Sequence, residues 1–394
     1  MHPNPFSPSF SIRPDRFYGR KQELLRMDKA LDNSDSPERF LFVTGTRGCG
    51  KTSLLHQYAS IATSHGWTAL ETTYQDALEV MRTYGRADLT VNKELRLAPS
   101  VSAVGVSASL FGTNTTSEQG PVEHLANPLV SRLLKERHAE GLFVTIDEIQ
   151  KISERDMEEI SYAVQAAKTR GLNIALVLAG LPASYQKIRQ FRGCTFVQRM
   201  KRHKLGMMDV DETIGFLHNM FALVPEINLS QTQIDEIAQF SSGHPYLLQL
   251  LGNYIYEVVD EISTLRITSP MDIDDQSVRE AERRAIDSYR QNVLRTVLSD
   301  ARRGTREYLR AMYEVCDDFS TASTSDIAQR LGKTLQECSS VRARVIDLQL
   351  VDPIKRGMLQ FSVPYLALVF NDSENDDESQ RSENTWSPRT LPFQ

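Results

Sequence analysis

Phe40-Leu-Phe-Val-Thr-Gly45-Thr-Arg-Gly-Cys-Gly50-Lys51-Thr52 is the stretch on which the reading of this chain turns. A compact apolar run leads into a glycine-rich loop, and a helical pattern follows over Ser53 to Ala62, so the order is strand, loop, helix. The loop fits GxxxxGK[ST] in full. Backbone N–H groups can close on phosphate oxygens only where no side chain intervenes, and Gly45, Gly48 and Gly50 permit that turn. Gly45, Thr46, Arg47, Gly48, Cys49 and Gly50 therefore read as an amide-lined cradle. It continues into Lys51, Thr52 and Ser53 at a helix N-terminus, whose unpaired amides and dipole favour anions. Lys51 is expected to reach the β and γ phosphates of a nucleotide, and the Thr52 hydroxyl to take a magnesium position.

The second decisive stretch is Leu142-Phe-Val-Thr-Ile-Asp147-Glu148. An apolar strand ending in two acids sets them at the carboxyl edge of a sheet, where the glycine loop also lies. Asp147 is expected to orient a magnesium-bound water, and Glu148 to position or polarise an attacking water.

Outward from these motifs, strands at 67–71 and 173–179 and helices at 21–31, 129–140 and 154–170 alternate, which implies a parallel sheet covered on both faces. Residues 95–115 alternate small, apolar and polar types, as an inserted hairpin would. From Asp209 onward the strand signal fades, and helices are expected over 210–221 and 230–240. Ser230 with Gln233 forms a capping-box pattern, and Pro245 suits the first position of the next helix. A charged helical stretch follows over 272–303. Three helices at 305–315, 324–331 and 335–348 then precede two short strands around Lys355-Arg356-Gly357. The first 13 residues read as a loosely held arm, and the acidic last 24 as disordered.

The 394 residues suffice for two or three domains. No apolar run approaches membrane-spanning length, and no N-terminal export signal is evident, so a cytoplasmic protein without membrane contact is expected. Four scattered cysteines offer neither a metal-ligand spacing nor a disulfide framework. A net charge of −6 argues against a wholesale polyanion binder but leaves room for local basic patches.

With both motifs in hand, the chain resembles the AAA+/STAND group of P-loop ATPases, particularly its origin-recognition-like and archaeal-ATPase-like members. Phe17-Tyr18-Gly19-Arg20 is similar to the (F/Y)xGR segment that lies against adenine in that group. Gly243-His244-Pro245 is similar to its GxP signature at the lid helix, where Pro245 is either structural or touches the nucleotide. Phe196-Val-Gln-Arg199 resembles the place of an arginine finger supplied to a neighbouring subunit. Arg199 also lies among Arg192, Lys201, Arg202 and Lys204, so a solvated basic face is the alternative. The resemblance implies an α/β P-loop core, ATP or ADP with Mg2+ as ligands, and a homo-oligomer.

The implied organisation is an arm (1–16), an ATPase core (17–206) with an insertion at 90–126, a helical lid (207–271), a helical linker (272–304), a winged-helix-like domain (305–370) and an acidic tail (371–394). Two departures stand out. The strand ending at Ala179-Gly180 lacks the usual terminal polar residue, and the helix from Pro245 to Glu257 carries no Arg or Lys. Both remove groups that would stabilise charge on the γ-phosphate, so slow hydrolysis and a switch role are expected. The C-terminal domain either contacts double-stranded DNA through Lys333, Arg342, Arg344, Lys355 and Arg356, or serves a STAND-like assembly switch as a protein contact.

Overall fold

The computed structural model describes residues 2–8, 17–74, 77, 140–169, 171–263, 271–299, 301–316, 321–366 and 370. The expected insertion (90–126), most of the 129–140 helix and the acidic tail lie outside the described residues. The chain divides into two compact units. A sheet unit comprises Lys21–Gly45 and Lys51–Leu205, and a helical unit comprises Met1–Arg20, Thr46–Gly50 and Gly206–Gln394.

The sheet unit runs α1 (Lys21–Leu31), β1 (Phe40–Thr44), α2 (Lys51–Ser64), β2 (Thr68–Thr73), β3 (Leu142–Asp147), α3 (Glu154–Thr169), β4 (Ile174–Gly180), α4 (Pro182–Arg189), α5 (Thr195–Gln198) and β5 (Lys201–Lys204). Its five strands are ordered β2-β3-β4-β1-β5, and every pairing is parallel. Composition explains the order. FLFVT, LFVTID and IALVLAG are near-continuous apolar runs, which suit interior parallel strands covered on both faces. TALETT and KRHK are the polar strands, and they take the two edges. On one face Phe42, Val144, Ile146, Leu176 and Leu178 pack with Met157, Ile160 and Val164 of α3. Alternation along the strands turns Leu41, Val43, Phe143 and Val177 to the other face.

In the helical unit, α6 (Val210–Phe221), the short strand β6 (Ile227–Asn228), α7 (Gln231–Ser241), α8 (Pro245–Ser263), β7 (Met271–Asp272) and α9 (Asp275–Tyr289) come first. A π-helical turn at Arg290–Leu294, α10 (Arg295–Ser299), α11 (Arg303–Val315), β8 (Thr321–Ser323), α12 (Thr324–Arg330), α13 (Ser339–Asp347), β9 (Val351–Lys355) and β10 (Met358–Phe361) follow. The Ser230/Gln233 capping box is formed, and Pro245 opens α8. One hydrophobic core runs from Phe6 through Leu247 and Tyr289 to Phe370, so the described residues between Met208 and Phe370 share a single interior.

Three expectations are corrected. The two short strands expected around Lys355-Arg356-Gly357 are present as β9 and β10, but further strands occur beyond Asp209: β6 pairs with β7, and β8 joins the expected pair in a sheet ordered β8-β10-β9. β6, β7 and β8 are two to three residues long, too short to carry a readable alternation. The helical stretch at 272–303 is broken by the π turn and again before Arg303. Nor is the N-terminal arm loose over residues 2–8. Phe6 is only 4% exposed and packs its ring on Phe216 and Phe221. Gly252 leaves the room for it, since a Cβ there would strike the Phe6 ring. Asn4 bonds Asn253, and the Ser7 amide donates to Gln249.

Candidate functional site

The chemistry-bearing side chains of the sheet unit gather at the carboxyl ends of β1 and β3. β1 stops at Thr44, and α2 begins at Lys51, so the first amides of α2 are without intrahelical partners. Lys51 Nζ donates to the Gly45 carbonyl at 3.0 Å, clasping the chain that leaves the strand to the chain that enters the helix. The Thr52 hydroxyl donates to Asp147 Oδ2 at 2.6 Å, joining residues 95 positions apart. β4 lies between β1 and β3 in the sheet, so only side chains make this contact. Ser53 is half-buried on the same first turn.

Glu148 follows in the left-handed region with φ 52°, and its N–H donates to Asp147 Oδ1 at 2.8 Å. A non-glycine residue held there costs on the order of 1 kcal/mol, which the surrounding structure must supply. The Glu148 side chain is exposed and accepts a hydrogen bond from the Gln150 side-chain amide.

Thr52 and Asp147 together present hard oxygen donors, which fit Mg2+ and not a soft metal. Among the described residues no group of three or more His, Cys, Asp or Glu could hold a metal. An ion here would complete its shell with water and phosphate oxygens, as Mg2+ commonly does.

Thr46–Gly50 belongs to the helical unit. Gly48 and Gly50 have φ of +77° and +90°, which only glycine adopts without strain. At Gly48 a Cβ would also fall 2.7 Å from His244 Cε1 and 2.8 Å from Tyr246 Cβ. The Tyr246 amide donates to the Gly48 carbonyl at 3.2 Å. His244 is fully buried. Its Nδ1 accepts from the Leu247 amide at 3.3 Å, so the ring proton resides on Nε2, which donates to the Arg47 carbonyl at 3.1 Å. His244 thereby caps α8 and latches the loop in one neutral tautomer. Pro245 lies beside Gly50, with Cγ 3.9 Å from where a Cβ would stand. Thr46 and Cys49 are buried.

Arg20 is 8% exposed, in the left-handed region at φ 59°. Its guanidinium donates to three main-chain carbonyls, Gly206 at 2.5 Å, Met207 at 3.3 Å and Cys49 at 3.4 Å. Tyr18 stands over Gly215, whose missing Cβ makes room for its hydroxyl, and its ring meets Phe216 at 6.4 Å. Arg199 is exposed at the C-cap of α5 and makes no side-chain hydrogen bond or ion pair among the described residues. The neighbouring basic residues are not a simple solvated face. Lys201 to Lys204 form edge strand β5, and Arg202 donates to Thr44 Oγ1 at 3.1 Å while stacking 4.5 Å from the Tyr185 ring centre. Sequence reasoning missed β5, the His244 latch and Gln150; only the spacing of Gln150 two residues beyond Glu148 could have flagged the last.

A cavity of about 770 Å³ opens at the opposite, amino ends of β1 and β4, lined by Arg39, Phe40, Trp67 and Asn173 among others. Arg39 spends its donors on the Ala30 and Leu31 carbonyls and on Asn173. Open α/β sheets bind ligands at their carboxyl ends, and the loop and acids lie there.

With that geometry in place, comparison gives the class. Residues 16–177 match the family model of the AAA ATPase domain. The comparison thus shows an AAA ATPase domain over those residues and, for the chain, an AAA+ fold of the origin-recognition kind. The fold is similar to that of the ORC2 protein of Aeropyrum pernix. Its ADPNP-ADP complexes superpose with a TM-score of 0.58 at 14% identity, covering 93% of this chain and 96% of that one. Its ADP form gives 0.52, also at 14% identity and covering 93% and 96%. Residues 291–368 match a domain of unknown function, DUF8462. No curated protein sequence matches this chain. Among the described residues, no helix is long and apolar enough to cross a membrane.

Proposed function

We propose that this chain binds ATP and ADP with Mg2+ and hydrolyses ATP slowly, as a nucleotide-dependent switch. The observation that carries the reading is the 2.6 Å meeting of Thr52 with Asp147 beside Lys51 at the start of α2. The ADPNP-ADP complexes and the ADP form of the Aeropyrum ORC2 protein accord with it. On this reading the amides of Thr46 to Ser53 and the Lys51 ammonium neutralise the polyphosphate. Thr52 and Asp147 hold Mg2+, which when bound neutralises charge on the β and γ phosphates. Glu148 accepts a hydrogen bond from the attacking water and orients it in line with the γ-phosphate. Arg20 acts through the Cys49 carbonyl, setting the loop, while Tyr18 and Pro245 serve the base side. Arg199 is a finger offered to a neighbouring copy.

Slowness follows from two features. β4 ends in Gly180 with no polar side chain, and α8 carries no Arg or Lys, so fewer preorganised donors meet the developing charge. Titration calorimetry with Mg-ATP and Mg-ADP tests the core of the proposal. Binding by the wild type and its loss in Lys51→Ala is expected; no heat from the wild type would overturn it.

The C-terminal elements α11, β8, α12, α13, β9 and β10 have the order of a winged helix, and we propose that this module contacts duplex DNA. Exposed Lys355 and Arg356 at the tip of the β9–β10 hairpin and exposed Arg344 on α13 support this. The alternative, a protein-contact module in a STAND-like assembly switch, is favoured by half-exposed Leu335 and by acidic Glu337 and Asp352. Salt-dependent retardation of duplex DNA, lost in Lys355→Glu with Arg356→Glu, separates the two. Absence of binding at low salt, with or without ATP, would leave the protein-contact reading, which a nucleotide-dependent change of mass in sedimentation would then support.

A further inference from the structure

The end of β4 holds a second anomaly besides its missing polar side chain. An ideal Cβ built on Gly180 would fall 2.7 Å from Ile149 Cγ2, 2.8 Å from Ser184 Oγ and 3.3 Å from Gln150 Oε1. The space that a side chain at this position would enter is therefore already taken, in part by the Gln150 amide. That amide donates through Nε2 to Glu148. A carboxylate only accepts, so the nitrogen must face Glu148, and the oxygen faces Gly180. Gln150 Oε1 is buried and has no hydrogen-bond partner among the described residues.

A buried carbonyl without a partner costs free energy, whereas an apolar side chain of the same shape would cost nothing there. Packing alone does not explain a glutamine. Its one productive contact is with Glu148. The backbone beneath is also pinned, since Lys187 Nζ donates to the Ile152 carbonyl at 2.8 Å, holding the turn after β3 against α4.

We infer that Gln150 is the positioning residue for Glu148, standing where a side chain from the end of β4 would otherwise stand. It fixes one carboxylate oxygen and leaves the other for water. Gly180 is the counterpart that makes room for it. This rests on the proposed hydrolytic role of Glu148.

The test compares Gln150→Met, which keeps volume and removes the donor, and Gln150→Glu, which keeps shape and adds a like charge. Both are assayed for Mg-ADP affinity by calorimetry and for steady-state ATP turnover. Loss of a hydrogen bond to a charged group corresponds to about a tenfold to hundredfold fall in kcat. Affinity should stay within about twofold, because the amide does not touch the phosphate cradle. In a Glu148→Gln background, Gln150→Met should lower the residual rate no further. Wild-type turnover in both variants would overturn the inference alone. Equal falls with and without Glu148 would also overturn it, by showing a general structural effect. A wild type that binds nucleotide but never hydrolyses it would overturn the role of Glu148, and the inference with it. If Gln150→Met fails to fold, Gln150→Glu carries the same comparison.

Discussion

Thr52→Val removes one oxygen while keeping the branched shape of the side chain, and it separates stability from ligand chemistry. The lost contact is the 2.6 Å donation to Asp147. A hydrogen bond to a charged group contributes ~1.5–3 kcal/mol when water is excluded. Thr52 is exposed and Asp147 half-buried, so water replaces much of it, leaving about 1 kcal/mol or less. For a unit of roughly 150–250 residues, 1 kcal/mol moves Tm by about 2–4 °C. Without nucleotide, the variant should melt no more than ~4 °C below the wild type. Nucleotide at 100 times Kd stabilises the wild type by about 2.7 kcal/mol, a rise of ~5–11 °C. Valine has no oxygen to offer a metal, so the share of that rise that depends on Mg2+ should vanish in the variant, while the share seen in EDTA persists. Thermal melts with ADP and a non-hydrolysable ATP analogue, in Mg2+ and in EDTA, measure both shares. An undiminished Mg2+-dependent rise in Thr52→Val would refute the pairing of Thr52 with Asp147 as a metal site.

Glu148→Gln should bind Mg-ATP as the wild type does and turn it over at least about tenfold more slowly; an unchanged kcat in a coupled phosphate assay would exclude Glu148 as the water-orienting group. Arg199→Ala and Lys51→Ala should each be inactive alone and regain part of the activity when mixed, if the finger crosses between copies; no recovery at any mixing ratio counts against that role. His244→Phe should weaken nucleotide binding, because the Arg47 carbonyl and Leu247 amide both lose their partner; unchanged affinity by calorimetry would show the latch to be dispensable. Glu282 lies buried on α9, where burial first and the neighbouring Glu236 second push its pKa up to about 7, against the opposing pull of Arg279. The folded state thus holds the proton more tightly than the unfolded one. The penalty for charging is absent below the unfolded value near 4.5, grows as pH rises, and is complete above about 7. Glu282→Gln should therefore gain on the order of 3 kcal/mol over the wild type at pH 8 and little near pH 4.5, and melts across that range check it.

The phosphate loop and the acid strand were legible because each is a long apolar run ending in residues with one chemical use. FLFVT and LFVTID announce interior strands by composition alone. The fifth strand was not legible, because an edge strand is covered on fewer sides and KRHK carries its charge outward, so no apolar signal remains. Strand order was equally hidden. Nothing in the sequence between β1 and β3 says that β4 separates them in the sheet, and the Thr52–Asp147 contact shows that both ends still converge. The helices of the second unit show in their 3.6-residue period and their caps, whereas β6 and β7 are two residues each and invisible to any periodicity. Arg20 and His244 stand in recognisable motifs, yet their hydrogen bonds go to main-chain carbonyls, which sequence patterns do not encode.

The Phe6 anchor sets an order of events during synthesis. Phe6 leaves the ribosome more than 200 residues before Phe216, Phe221 and the notch at Gly252 exist. At ordinary elongation rates that interval is on the order of 10–50 s. For all of that time an aromatic ring stays in water while the sheet unit can already collapse. Closing this long circuit is slow compared with local helix formation, so the early-made segment finds its place only after Phe216, Phe221 and Gly252 have been translated and folded.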